Sequence, residues 1–201
     1  MIRIGGVLVS PGEGGVYGER MIDGYRVWDP YRSKFAAYAL LGGERDLAPE
    51  MRVLYLGAAN GTTVSHVADY VEVVYAVEFA PRPMQDLIEV CRHRRNIVPI
   101  MADAGRPELY AGIVEEADLL YQDVAQPDQV AIALRNVPLL RPGGTLMLML
   151  KTRSVDVRLS PQDVADEAVR ALEEGGMRVA EVLWLEPYHR DHAAIVCEAI
   201  K

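Results

Sequence analysis

The sequence predicts an α/β fold in which a seven-stranded, largely parallel sheet carries helices on both faces and is preceded by a small N-terminal β appendage. Three observations lead there. From residue 31 onward, helical patterns alternate with short apolar runs, as in successive βαβ units whose strands lie parallel. The last two apolar runs are separated only by 186–192, too short for a crossover helix, so they form an antiparallel hairpin. The first 30 residues instead carry short β-branched runs broken by glycines and a proline.

Taken in order, the runs 2–9, 15–19 and 25–29 predict a meander or hairpin set, which defines a small β subdomain of residues 1–30 ahead of a main domain of 31–201. Strands are expected at 51–57, 72–79, 97–101, 117–123, 144–151, 177–185 and 193–200. Helices are expected at 31–42, 61–70, 82–94, 127–140 and 161–175. Right-handed crossovers then distribute these helices over the two faces. A chain of 201 residues, 50% hydrophobic and 25% charged, suffices for one such core plus the appendage.

Composition excludes several classes. The start, MIRIGGVLVS, lacks the cationic and long apolar segments of a secretory signal, and the strongest apolar run, 146–150, is far too short for a bilayer, so a cytoplasmic protein without membrane contact is expected. Cys91 and Cys197 form no C-x-x-C pair, which leaves neither a disulfide scaffold nor a structural zinc site. A net charge of -8 argues against holding a long nucleic acid by unaided phosphate contacts. Lys34, Lys151 and Lys201 are the only lysines among 21 basic residues, so a lysine here is a selective choice.

In an open α/β sheet, ligands bind beyond the carboxyl ends of the strands. The first main strand ends in Gly57, followed by Ala58, Ala59, Asn60 and Gly61, small residues that let backbone approach a ligand before turning into a helix. Thr62 and Thr63 add hydroxyls at that helix's N-terminus, which favours a carboxylate. Glu78 closes the second strand about 20 positions on, where a carboxylate accepts both hydroxyls of a ribose. Asp103 follows the third strand and is placed to accept from an adenine amine. The spacing G-x-x-x-G differs from the dinucleotide pattern G-x-G-x-x-G, so S-adenosylmethionine is the expected cofactor rather than NAD.

Asp123 closes the fourth strand at the same rim, and Lys151 ends the fifth beside it. Methyl transfer to a hydroxyl leaves a protein to position the acceptor and manage its proton, work suited to a carboxylate with ammonium groups, here Asp123 with Lys34 and Lys151. His192 starts the final strand and reaches that rim, whereas His66 and His93 show no partner pattern. His189 and His192 without a third convergent ligand make no metal site, and no metal is expected.

The segments YRSK (31–34), YLGAANGTTVSHV (55–67), VVYAVEF (73–79), DVAQPDQ (123–129), LMLMLK (146–151) and LEPYHRDHA (185–193) together resemble fibrillarin over essentially the whole chain. The archaeal form is the one resembled, since a Gly/Arg-rich N-terminal extension is absent. The resemblance implies the class I S-adenosylmethionine-dependent methyltransferase (Rossmann-like) fold and RNA ribose 2'-O-methylation of rRNA, and by extension tRNA, within a box C/D guide ribonucleoprotein. Implied partners are a Nop-family scaffold protein, box C/D guide RNA, target RNA and a kink-turn-binding ribosomal-type protein. It implies a catalytic set of Lys34, Asp123, Lys151 and His192, and cofactor contacts at Gly57, Ala59, Thr62, Thr63, Glu78, Phe79, Asp103, Ala104, Asp123 and Gln126. Partners that present the RNA would reconcile this activity with an acidic chain. Departures from the pattern are the short connection 69–72, Asn60 where serine is common, and His189 where an acidic residue is common. Competing readings are a methyltransferase for a protein glutamine or a small molecule, and a cofactor-binding subunit that only nucleates an assembly.

Overall fold

The computed structural model describes residues 1–199; residue 200, the expected end of the last strand, and Lys201 lie outside the described residues. Four short strands, β1 (Ile2–Ile4), β2 (Val7–Ser10), β3 (Met21–Ile22) and β4 (Tyr25–Val27), form an antiparallel sheet in the order β1-β2-β4-β3. The expected run 2–9 is split because Gly5 and Gly6 turn the chain at positive φ, 55° and 82°. Residues 15–19 form no strand: the Glu19 carboxylate accepts from the Val16 and Tyr17 amides and draws the segment into a turn.

The main chain path continues through α1 (Lys34–Leu40), β5 (Arg52–Leu56), α2 (Thr62–Ala68), β6 (Val73–Glu78), α3 (Pro81–His93) and β7 (Ile97–Met101). It then runs through β8 (Ala117–Gln122), α4 (Gln129–Asn136), β9 (Leu140–Lys151), the single turn α5 (Thr152–Val155), α6 (Pro161–Glu174), β10 (Met177–Trp184) and β11 (His192–Ala199). The seven-stranded sheet has the order β10-β11-β9-β8-β5-β6-β7. Strands β9 to β7 in this order are parallel, and β11 lies antiparallel to both of its neighbours.

Most boundaries of the main domain fall within two residues of those expected, and three shift further. Helix α1 starts at Lys34 rather than 31 because Ser33 caps it, its Oγ accepting from the Ala36 amide. Helix α4 ends at Asn136, since Pro138 continues the chain only as a 3-10 turn, and β9 consequently starts at Leu140.

Alternation along each strand loads both faces of the sheet. Val53 and Tyr55 of β5 face one core with Phe35, Val64 and Leu87 of α1, α2 and α3, and Leu8 and Trp28 join that same core. Leu54 and Leu56 face the other, against Ile132 of α4 and Val164 of α6. The chain moves outward from β5 to β6 and β7 on one side and to β8 and β9 on the other. A crevice therefore opens at the carboxyl ends of β5 and β8.

Candidate active site

At that crevice β5 gives way to a loop whose shape depends on glycine. Gly57 has φ +81°, and a Cβ there would lie 2.3 Å from the Asp123 carbonyl oxygen, so a side chain would drive the β5 and β8 ends apart. The Gly57 and Ala58 amides both donate to the Val77 carbonyl at 3.0 Å, locking the loop to β6. Ala59 takes φ +48°, and Gly61 at φ +84° leads into α2.

Glu78 is held by this loop rather than by a cation. Its Oε2 accepts from the Ala59 amide and its Oε1 from the Ala80 amide, each at 2.8 Å. Each oxygen keeps a lone pair for a further donor, as a ribose diol requires. A cavity of about 330 Å3 lies here, walled by Gly57, Ala59, Glu78, Phe79, Ala104, Asp123 and Gln126, all expected cofactor contacts. Val77, Ala102, Val124 and Ala125 complete the wall. Small apolar side chains such as these carry no chemical signal in a sequence, so only their neighbours are legible there.

Three expected contacts lie outside this wall. Asp103 is exposed and its Oδ1 accepts from the Gly105 amide at 2.8 Å, a local turn that leaves Ala104 facing the cavity. The Ala104 carbonyl is in turn fixed by Tyr110 Oη and Asn136 Nδ2. Thr62 Oγ1 donates to Asn60 Oδ1 at 3.1 Å, and Thr63 follows it in the first turn of α2, half-buried. The glycine cradle, the doubly held carboxylate and the exposed Phe79 ring fit S-adenosylmethionine: close backbone approach, a diol acceptor and an aromatic face for a base.

The four reacting candidates converge beside that wall. Lys34 Nζ donates to both oxygens of Asp123, at 2.7 and 2.8 Å, although 89 residues separate them. Lys151 and His192 are direct partners in the β9–β11 register, and Lys34 and Asp123 both act electrostatically on the His192 ring. Gln129, which sequence reasoning passed over, fixes Lys151 from the side: its Oε1 accepts from the Lys151 amide at 2.9 Å and its Nε2 donates to the Lys151 carbonyl at 3.1 Å. It ends the DVAQPDQ segment, but its partner on β9 is visible only in three dimensions.

His189 also belongs to this neighbourhood. Its Nε2–H donates to the Pro30 carbonyl at 2.8 Å, tying the 185–192 loop to the segment that presents Lys34, and its ring lies 5.9 Å from that of His192. Burial holds both imidazoles below the ordinary histidine pKa, and the Lys34 ammonium reinforces the shift. Among the described residues no three His, Cys, Asp or Glu side chains converge as metal ligands.

A parallel sheet with a terminal antiparallel hairpin, a glycine-cradled diol site and an adjacent Lys–Asp pair defines the class of S-adenosylmethionine-dependent methyltransferase folds. The family model for fibrillarin matches residues 4–201. This chain belongs to the fibrillarin family. It is 73% identical to the fibrillarin-like rRNA/tRNA 2'-O-methyltransferase of Methanoculleus marisnigri over 194 residues, 96% of each chain. Among solved structures it resembles Aeropyrum pernix fibrillarin with natively bound S-adenosyl-L-methionine, at TM-score 0.83 and 46% identity, covering 92% of this chain and 84% of that one. It also resembles a chain of a fibrillarin/Nop5p complex, at TM-score 0.91 and 42% identity, covering 96% and 94%.

Proposed function

We propose that this chain transfers a methyl group from S-adenosylmethionine to ribose 2'-hydroxyls of RNA, as the catalytic subunit of a box C/D guide ribonucleoprotein. The observation that carries this reading is the Lys34–Asp123 pair set against the wall of the cofactor cavity, with Lys151 and His192 adjoining it. When bound, the cofactor supplies an electrophilic methyl on a cationic sulfur. Glu78 and the Gly57 loop would hold its ribose and backbone, and Phe79 would offer a face to its base. Asp123 orients the acceptor hydroxyl, and the ammonium groups of Lys34 and Lys151 stabilise negative charge developing on the acceptor oxygen. His192, neutral at pH 7, is available to accept the proton.

The relatives' names support RNA ribose as the acceptor, and the fibrillarin/Nop5p complex supports a Nop-family scaffold as docking partner. We extend this to guide RNA, target RNA and a kink-turn-binding protein. With a net charge of -8, the chain relies on such partners to bring the nucleic acid to it.

Reconstitution of this chain with scaffold protein, kink-turn-binding protein and a matched guide tests the proposal. Methylation should require the guide and should vanish when the selected nucleotide carries 2'-deoxyribose. Methylation of that deoxy target, or of a protein or small molecule without RNA, would refute it. Asp123→Ala should lower turnover by roughly 100-fold or more while the particle still assembles.

A further inference from the structure

In the segment 123–129, Asp123 pairs with Lys34 and 124–126 line the cofactor cavity, which leaves Gln129, at the far end, outside both. Strand β8 pairs with β9 only as far as Gln122 with Leu148, where the chain leaves the sheet at Asp123. Lys151, at the end of β9, extends past that neighbour, and among the described residues no strand pairs with its N–H and C=O on this side. The Gln129 side-chain amide takes the position instead, Oε1 accepting from the Lys151 N–H at 2.9 Å and Nε2 donating to its C=O at 3.1 Å. A primary amide carries a donor and an acceptor side by side, as a neighbouring strand does. An apolar side chain of the same size would fill the space but leave both Lys151 groups without partners.

On its other side Lys151 is the register partner of His192. Because its N–H and C=O point to Gln129, the two form a non-hydrogen-bonded pair, and the ladder bond falls beside it, from the Thr152 amide to the Asp191 carbonyl at 3.2 Å. Facing side chains stand closest in such pairs. The backbone setting that Gln129 holds is thus the one that brings Lys151 and His192 together. Gln129 is itself anchored beside the other reacting group: Gln122, immediately before Asp123, donates from Nε2 to the Gln129 carbonyl at 2.7 Å, and both glutamines are fully buried. Two amides thereby connect the backbone that carries Asp123 to the backbone that carries Lys151.

We propose that Gln129 is a positioning residue for methyl transfer: it completes the sheet where β8 has left it, and so fixes the backbone from which Lys151 reaches the acceptor oxygen beside His192. The assignment rests on the RNA-methylating reading above, in which Lys151 acts on that oxygen. Stabilisation of a developing charge depends on a cation held in place before the reaction, so a lysine whose backbone is free to shift loses rate without losing either substrate.

Two variants test it. Gln129→Met keeps the length and packing but removes both hydrogen bonds, and Gln129→Glu keeps the shape but sets a carboxylate oxygen against the Lys151 carbonyl. In reconstituted particles both should lower kcat by roughly 10- to 100-fold. KM for target RNA and for S-adenosylmethionine should stay within about two-fold of the parent, as expected when only the reacting geometry changes. Amide hydrogen exchange on the isolated chain reads the contact directly: in Gln129→Met the Lys151 amide should exchange about ten-fold faster or more, while those of β5 and β6 hold. Parental kcat in Gln129→Met, or unchanged protection of the Lys151 amide, would overturn the proposal. So would a loss of rate that tracks a loss of S-adenosylhomocysteine affinity or of particle assembly in both variants, since Gln129 would then hold the fold rather than the lysine. A parent particle that does not methylate ribose would instead refute the functional reading, a failure the exchange measurement keeps separate from that of the contact.

Discussion

His192 shows how a single side chain is prepared for its role by its immediate contacts. Its Nδ1–H donates to the Arg190 carbonyl at 2.7 Å, which leaves Nε2 as the acceptor in the neutral ring. Burial lowers its pKa from the ordinary 6.5, and the adjacent Lys34 ammonium and His189 ring act in the same direction against Asp123. The neutral form therefore persists to lower pH than in a free histidine. If Nε2 takes the acceptor's proton, the rate is full above the folded pKa and falls as pH drops through it. The acid limb of the pH–rate profile should then have its midpoint below 6.5. His192→Gln should remove that limb and slow the reaction by roughly 100-fold. An unchanged limb in the variant would assign it to another group.

At the scale of elements, the N-terminal sheet buttresses the cofactor loop. Tyr17 Oη donates to the Asn60 carbonyl, and it lies within 3.3 Å of where a Gly61 Cβ would stand. The Tyr17 amide is held by Glu19, Glu19 pairs with the buried Arg26, and Arg26 reaches Ser65 in α2 and Asp69 just beyond it. The cofactor loop is thereby gripped through both Asn60 and the helix that follows it. Burial, with the charge of Asp86 adding to it, pushes the Tyr17 hydroxyl up to about 12, so it stays a donor at neutral pH. Tyr17→Phe deletes only this donor. It should weaken S-adenosylhomocysteine binding by about two- to ten-fold, the range of one net hydrogen bond. Calorimetry on the isolated chain would show it, and unchanged affinity would leave Tyr17 a packing residue.

The whole molecule carries an ionic network in its interior that ties stability to pH. The Arg26 side chain is fully buried between Glu19 and Asp69, and Arg94 also reaches Asp69, at 2.5 Å. His66 lies against the same group: its Nδ1–H donates to Ser10 Oγ at 2.8 Å, Ser10 donates to Asp69 at 2.6 Å, and the ring stacks on Trp28. Burial and then the Arg26 charge push His66 down to about 3. Between 6.5 and about 3 the unfolded chain thus binds a proton that the folded one refuses. Stability should fall in that window by about 1.4 kcal/mol per pH unit from this residue. Glu19 acts in the same direction: against its burial penalty, amide donors and Arg26 hold it near 2, so its contribution is present above 4.5 and lost as pH falls from there. Denaturant titrations across this range should show a shallower acid slope for His66→Gln than for the parent chain. Equal slopes would exclude His66 as the source.

Sequence by itself determined the order and type of the main elements and the set of strand ends that line the site. The reason is geometric: apolar periodicity is local, and in a parallel sheet every strand delivers its carboxyl end to one edge, so Gly57, Glu78, Asp123 and Lys151 had to meet. Only the tertiary structure decided the pairings. The Lys34–Asp123 contact, the Gln129 clamp on Lys151 and the Tyr17 grip on Asn60 join residues 89, 22 and 43 positions apart. Such contacts depend on how helices and loops pack, which no local pattern encodes. Asp103, Thr62 and Thr63, expected as cofactor contacts from their positions, are not among the residues that line the cavity; Asp103 and Thr62 make local hydrogen bonds, and Thr63 lies in the first turn of α2.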